Sequence, residues 1–271
     1  MIPKVIHYCW FGNKEKSPFI GKCIETWRNK MPDYQLKCWT ENDIQHLIDT
    51  VPFVRDAYHA GKWAFVADYV RLYVLYAEGG VYMDTDVKVI KSFDDFLKYD
   101  FFTSNEVHPV FFNQEEQEKI FDDGHPKSPE NFIEGMGLLS AVMGAEKGHP
   151  FLKDCLDYYN TLTFDLKNKT TNDYVIGKHI TRIAARRYGY LYKDEEQHLK
   201  NNMCIMPSDV FVGNMIYYHR GHEYAIHLCN GSWVDDNKTL MWKLRNNYPS
   251  VYAIIDPIHN IIFKIWRRLH V

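Results

Sequence analysis

No pair among the six cysteines, at positions 9, 23, 38, 155, 204 and 229, has C-x-x-C spacing, and nothing resembles a zinc knuckle or a disulfide framework. The cysteines therefore read as small buried residues in a reducing compartment. Also missing is any run of about 20 apolar residues, the length that crosses a membrane. The start, MIPKVIHYCWFG, has no basic flank, long apolar core or small-residue cleavage site of a secretion signal. A cytoplasmic chain is the resulting expectation. Excess charge of one sign is absent too: 32 Lys and Arg against 35 Asp and Glu leave a net charge of −3. Without a basic field, nucleic acid is not an expected partner. Internal repeats and low-complexity tracts are likewise lacking. What the 271 residues do contain is 46% hydrophobic and 15% aromatic side chains, with 19 Tyr and 16 Phe, enough for one substantial core. Aromatics at that density suit sugar or base stacking as well as ordinary core packing.

The run VIHYCWF, closed by Gly12-Asn13, predicts a buried first strand. Phe19, Ile20, Cys23, Ile24 and Trp27 follow at helical spacing up to the stop at Pro32-Asp33, and YQLKCWT reads as a second strand. A β-α-β unit of this length points to a parallel α/β sheet. Further helices are expected near Asp43 to Thr50 and over Lys62 to Glu78, the latter ended by Gly79-Gly80. Periodicity fails from Glu106 to Glu134, a stretch with prolines 109, 126 and 129 and the acidic run QEEQEKIFDD. It reads as a lid or acceptor-side excursion over the sheet, its acidic run a solvated face. LLSAVMGA then returns to buried, strand-like character, FLKDCLDYY and GKHITRIAARRYG read as helices, and CIMPSDVFVG and YAIHLCNGSW as late strands and loops.

Chemistry concentrates at Asp84-Thr85-Asp86, within VYMDTDVKVI, which is expected to be one strand. Alternation along it would set Tyr82, Asp84 and Asp86 on one face, with the two carboxylates about 7 Å apart. Two such charges near a core need a cation or donors, and oxygen ligands favour Mg2+ or Mn2+. In the preceding helix Asp68 and Arg71 are three residues apart and share a face among apolar neighbours. They are either an ion pair or a set of donors and acceptors for the hydroxyls of a polar ligand.

With those residues in view, AFVADYVRLYVLYAEGGVYMDTDV resembles the D-x-D sugar-binding region of glycosyltransferase family 32. IPKVIHYCWFG is similar to that family's first strand, MGAEKGHPFLKD to its central region and AIHLCNGSW to its closing motif, anchors that span residues 2–233. The resemblance implies a GT-A type nucleotide-sugar-binding fold over residues 1–245, a Rossmann-like mixed α/β sheet flanked by helices. It also implies Mn2+ or Mg2+ and transfer of a hexose, with retention, from a nucleotide sugar such as UDP-galactose to a glycan acceptor. Cell-surface polysaccharide synthesis (capsule, lipopolysaccharide or exopolysaccharide), with an acceptor carried on undecaprenyl diphosphate, is the setting it suggests. Carried over residue by residue, Trp10 would stack on the base, Asp68 and Arg71 hold the hexose, and Tyr82 line its pocket. Asp84 would contact ribose or metal, Asp86 and His227 ligate the metal, and Ser232 and Trp233 donate to the diphosphate. Asp84, Asp86, Asp68 and Arg71 are thus the expected catalytic set. One departure is that family members often carry Asn where Ser140 or Ala141 stands here, so no acceptor role is carried to those positions; Asp173 is an acceptor candidate that serves equally as a helix cap.

Two other readings share the motif. A haloacid-dehalogenase-type phosphatase also uses D-x-D after a strand, but Lys88 stands where Thr or Val is usual, and Asp235-Asp236 sits in a poor context for its later acidic pair. A non-catalytic nucleotide-sugar-binding protein would keep the pocket and lack turnover. Finally, residues 246–271 include PIHNIIFKIWRRLHV, with Ile258, Ile261, Ile262, Ile265, Trp266 and Leu269 on one helical stripe beside Lys264, Arg267 and Arg268. A helix over Ile258 to Val271 would be about 21 Å long, too short for a hydrocarbon layer of about 30 Å. Residues 257–271 are therefore expected to lie on an anionic membrane surface, making the protein peripheral on the cytoplasmic face, the alternative being a terminal helix that packs on the catalytic domain or on another subunit.

Overall fold

The computed structural model describes residues 1–230 apart from 14, 110, 166, 168 and 214–220. Ser232, Trp233 and the amphipathic stretch 246–271 lie outside the described residues. The chain opens with β1 (Val5–Cys9), α1 (Pro18–Lys30) and β2 (Gln35–Trp39), and β1 and β2 pair in parallel as expected. Pro18 fits the first turn of α1, where no N–H is needed, and the Ser17 hydroxyl accepts from Ile20 N–H. Phe19, Ile20, Cys23, Ile24 and Trp27 form its buried face. The Trp27 indole N–H donates to Val87 O at 2.7 Å, which satisfies the one polar atom that face carries inward.

Two short helices, α2 (Gln45–Thr50) and α3 (Pro52–His59), precede the long α4 (Trp63–Glu78). The second of these was not evident in the sequence. Helix α4 ends where Gly79 (φ 72°) and Gly80 (φ 109°) turn the chain into β3 (Gly80–Met83). At Gly80 a Cβ would lie 2.7 Å from Val5 O, so glycine is required both by the dihedral and by the contact. His7 secures the junction from β1. Its Nε2 bonds Gly79 O at 2.8 Å and its Nδ1 accepts from the Trp39 indole at 3.0 Å. Burial lowers the His7 pKa and so favours the neutral ring, and the two hydrogen bonds place its proton on Nε2.

The single strand expected over VYMDTDVKVI is two strands. β3 stops at Met83, Asp84-Thr85-Asp86 make a turn closed by Val87 N–H to Asp84 O (3.0 Å), and β4 (Val87–Val89) continues in a different sheet. Alternation fails here because β3 is buried on both faces, so it carries no polar side to which the aspartates could belong. Beyond β4 come β5 (Phe101–Val107), the one-turn α5 (Gln114–Gln117), β6 (Met136–Leu138), β7 (Val142–Ala145) and α6 (Pro150–Tyr159). The stretch after β5 is largely irregular, as expected, but its acidic run is not wholly solvated. Glu116 is buried and holds the loop together by accepting Glu134 N–H (2.8 Å) and pairing with Lys119 (2.5 Å).

The chain closes its described part with α7 (Ile176–Ile183), a π-helical turn to Tyr188, then β8 (Gln197–Leu199), β9 (Met203–Met206), β10 (Phe211–Val212) and β11 (Ala225–His227). The main sheet has the order β2-β1-β3-β7-β5-β9-β8, with β6 attached to β5. Its β2-β1-β3 part is parallel, but β7 runs antiparallel to both β3 and β5, so the sheet is mixed rather than parallel throughout. One apolar layer covers it with α2, α3, α4, α6 and α7, while α1 and the small sheet β10-β11-β4 cover the other face. This is the α/β class, with a mixed sheet between helices, that the sequence predicts. The cysteines are all unpaired; 9, 23, 155 and 204 are buried as expected, but Cys229 is exposed. Among the described residues no helix is long and apolar enough to cross a membrane.

Candidate functional site

Parallel pairing of β1 with β3, in the register Ile6 to Val81 and His7 to Tyr82, brings Trp10 and Asp84 to the same C-terminal end of the two strands. Trp10 is half-buried there, its N–H bonded to Trp39 O at 2.9 Å and Lys16 Nζ lying 5.1 Å from its ring. Asp84 is held by three contacts. Its N–H donates to Ala141 O (2.9 Å), its Oδ1 accepts from the Tyr82 hydroxyl (3.1 Å), and its Oδ2 faces Arg71 at 3.3 Å. Tyr82 is itself buried, so it supports Asp84 from below rather than presenting a ring to a pocket.

Arg71 is the hub of this half of the site. From α4 its guanidinium reaches Asp68 (2.8 Å), Asp84 (3.3 Å) and Ser140 O (2.8 Å), and it stacks 4.8 Å from the Tyr82 ring centroid. Helical spacing alone gives the Asp68 contact, whereas the reach to Asp84 needs the tight turn at Gly79-Gly80 that folds β3 back beside α4. Two carboxylates thus share one cation in a buried setting. Burial pushes the Asp68 carboxyl up to about 7 although Arg71 pulls the other way, and Asp84 adds to the rise. Arg71 stays protonated: burial opposes its charge, but Asp84, Tyr82 and Asp68 outweigh that.

Asp86 belongs to the other half. Antiparallel pairing of β11 with β4 sets His227 opposite Val87, and this register carries the His227 Nε2 to 3.3 Å from Asp86 Oδ1. Asp86 Oδ2 accepts Asn230 N–H at 2.7 Å, and its carbonyl accepts Leu228 N–H at 3.1 Å. Burial would raise this carboxyl, yet His227 and the Asn230 N–H hold it down at about 2. Burial likewise opposes charge on His227, and Asp86, helped by Cys229, raises its pKa well above the ordinary histidine value. The pair as it stands is an imidazolium facing a carboxylate, and it becomes a donor set for a divalent cation once the ion displaces the His227 proton. Of the three expected ligands, Asp86 and His227 come together, and Asp84 is turned toward Arg71.

Some contributors play parts that the sequence did not signal. Asn230 acts through its backbone, as do Ser140 and Ala141, and backbone roles leave no residue-type signal. Glu106 and His108, 3.2 Å apart at the end of β5, also lie close enough for His227 to influence His108. Asp173, by contrast, is engaged in a capping box: its carboxylate accepts both the N–H and the hydroxyl of Thr170.

Comparison with known proteins adds the following. Residues 20–103 match the glycosyltransferase sugar-binding region containing DXD motif. The chain is 30% identical over 156 residues to inositol phosphoceramide mannosyltransferase 3 of Schizosaccharomyces pombe, covering 56% of this chain and 35% of that one. It is 24% identical over 189 residues to the initiation-specific alpha-1,6-mannosyltransferase of Candida albicans, covering 65% of this chain and 47% of that one. It therefore spans less than half the length of either relative. A solved structure, the PaToxG glycosyltransferase, aligns at a TM-score of 0.47 and 18% identity over 68% of this chain and 69% of that one. Both aspartates of the D-x-D turn, together with Asp68 and Arg71, fall inside the matched region, so this part of the chain is similar to the DXD-containing sugar-binding region of glycosyltransferases.

Proposed function

We propose that the chain transfers a hexose from a nucleotide sugar to a glycan acceptor, with retention of configuration and with a divalent cation at the D-x-D turn. The observation that carries this reading is the buried fork of Arg71 between Asp68 and Asp84, one turn away from an ionised Asp86. A guanidinium fixed by two carboxylates is a preorganised donor for sugar hydroxyls, and Asp68, with its pKa near neutrality, serves as donor or acceptor toward the same sugar. Asp86 and His227 would hold the cation, with Asp84 beside them. When bound, such an ion stabilises charge on the departing diphosphate. Trp10, at the same end of the strands, is suited to stack on the base. Ser232 and Trp233 are assigned to the diphosphate from the sequence alone.

A UDP-sugar such as UDP-galactose is the favoured donor and Mn2+ the favoured ion. A lipid-linked acceptor, polysaccharide assembly and a peripheral site on the cytoplasmic membrane face rest on the C-terminal sequence stripe and the family resemblance. The phosphatase reading is weakened because both oxygens of Asp84, which would be its nucleophile, are engaged by Tyr82 and Arg71. The test is release of nucleoside diphosphate from a panel of nucleotide sugars with Mn2+ or Mg2+. We expect one donor to turn over, with loss of the signal on chelation and in Asp86→Asn. Tight binding of a nucleotide sugar with no turnover on any acceptor would favour the non-catalytic reading. Turnover unchanged by chelation would refute the role assigned to the cation.

A further inference from the structure

A second cluster of metal-ligating side chains lies far from the D-x-D turn, on the β8–β9 pair that ends the main sheet. Antiparallel register sets His198 directly opposite Cys204, so both side chains stand on one face. Glu196, two residues before His198, joins that face, and one ligand atom from each of Glu196, His198 and Cys204 lies within 4.8 Å of the others. His198 Nε2 already bonds Glu196 Oε1 at 2.9 Å. A second sulfur is at hand, because Met206, two residues beyond Cys204, brings its Sδ to 3.4 Å from the Cys204 Sγ. Tyr99 adds a hydroxyl bonded to the same thiol.

We propose that this face binds a thiophilic d10 cation, Zn2+ by preference, through Glu196, His198 and Cys204, with Met206 and Tyr99 around the sulfur. Imidazole, thiolate and carboxylate are the donor types that zinc selects, whereas the all-oxygen preference of Mg2+ and Ca2+ does not suit a thiol. Tetrahedral zinc holds N, S and O donors about 3.5 Å apart. The present separations therefore close by roughly 1 Å, a movement open to His198 and Glu196 because their side chains are 63% and 46% exposed. Cys204 is buried beneath them and needs little adjustment. Binding releases the thiol proton, forms the metal–sulfur bond and exchanges the His198–Glu196 hydrogen bond for two metal bonds. Such an ion would staple the three-residue edge strand β8 to β9 across a loop whose Asn201 and Asn202 both take the left-handed conformation.

The test uses Co2+ as a spectroscopic probe on the full, reduced chain, with displacement by Zn2+. A thiolate bound to Co2+ gives a charge-transfer band that carboxylate and imidazole ligands do not. Cys229 lies near His227, so Cys229→Ser is the control that separates this site from the D-x-D turn. The expected result is one equivalent of thiolate-bound cobalt, kept in Cys229→Ser and lost in Cys204→Ser. Zn2+ affinity should fall at least about tenfold in His198→Ala and in Glu196→Gln. Should Cys204→Ser fail to fold, those two exposed substitutions decide the matter. No charge-transfer band in the parent chain, a band that survives Cys204→Ser, or unchanged affinity in both exposed variants would overturn the proposal.

Discussion

Replacing Arg71 with Met keeps most of the side-chain volume and removes only the guanidinium. In the folded chain that group serves Asp68 at 2.8 Å, Asp84 at 3.3 Å and Ser140 O at 2.8 Å, and its side chain is only 6% exposed. Removing one partner of a buried ion pair costs about 3–5 kcal/mol, because the other partner is left charged and unpaired. Here the loss is moderated at Asp68, which is already raised to about 7 and takes up a proton once Arg71 is gone. Loss of stacking on Tyr82 adds up to about 2 kcal/mol. We therefore expect urea unfolding at neutral pH to report a loss of about 3–5 kcal/mol for Arg71→Met, with an unchanged denaturant slope. Arg71→Lys should recover little of it, since one ammonium cannot span three acceptors in a fixed fork. Combining Arg71→Met with Asp68→Asn should cost less than the sum of the single changes, with a coupling of about 1–3 kcal/mol. A loss below about 1 kcal/mol in Arg71→Met, or strict additivity in the double variant, would refute the shared-cation account of this site.

Asp68→Ala should weaken binding of an intact nucleotide sugar more than binding of the free nucleoside diphosphate; calorimetric titration showing equal effects would reduce Asp68 to a structural partner of Arg71. His179, beneath the Tyr158 ring, is lowered by burial and then by Arg182 to about 4. Its folded value lies below the unfolded one, so stability is full above pH about 6.5 and falls by about 3 kcal/mol as the pH drops toward 4. His179→Gln should remove that part of the slope in urea titrations across this window. At Gly144 an added Cβ would run into the Phe102 ring, so Gly144→Ala should lower stability by about 1–3 kcal/mol, readable as a drop in Tm.

Much of this architecture was legible because apolar spacing reports burial directly. The face of α1, the extent of α4 and its glycine stop, and the β1-α1-β2 unit all follow from that signal. The motif segments were also visible, since Asp68, Arg71, Asp84 and Asp86 are charged residues in otherwise apolar runs. What alternation misread was the D-x-D itself. A run of buried residues is compatible with one strand or with two strands meeting at a turn, and periodicity does not distinguish them. The partition of the two aspartates was illegible for the same reason: Asp84 answers to α4 and Asp86 to β11, and those allegiances are set by strand register rather than by spacing. Glu116 was misread because a buried carboxylate in an acidic run is identified by its partners, here Glu134 N–H and Lys119, and both depend on how the loop closes.

The bond between Asp86 and Asn230 joins positions 144 residues apart, through a sheet of only three short strands. Contacts of such long range form late, after local helices and neighbouring strands have collapsed. During synthesis β1, α4 and β3 are available to pack, and Arg71 to find Asp84, well before β11 leaves the ribosome. Asp86 must wait for the far end of the chain to supply its counter-charge and its backbone donor. On that order the nascent chain assembles the Arg71–Asp84 half of the site first and the Asp86–His227 half last. A complete D-x-D site is deferred until nearly all of the described core has been translated.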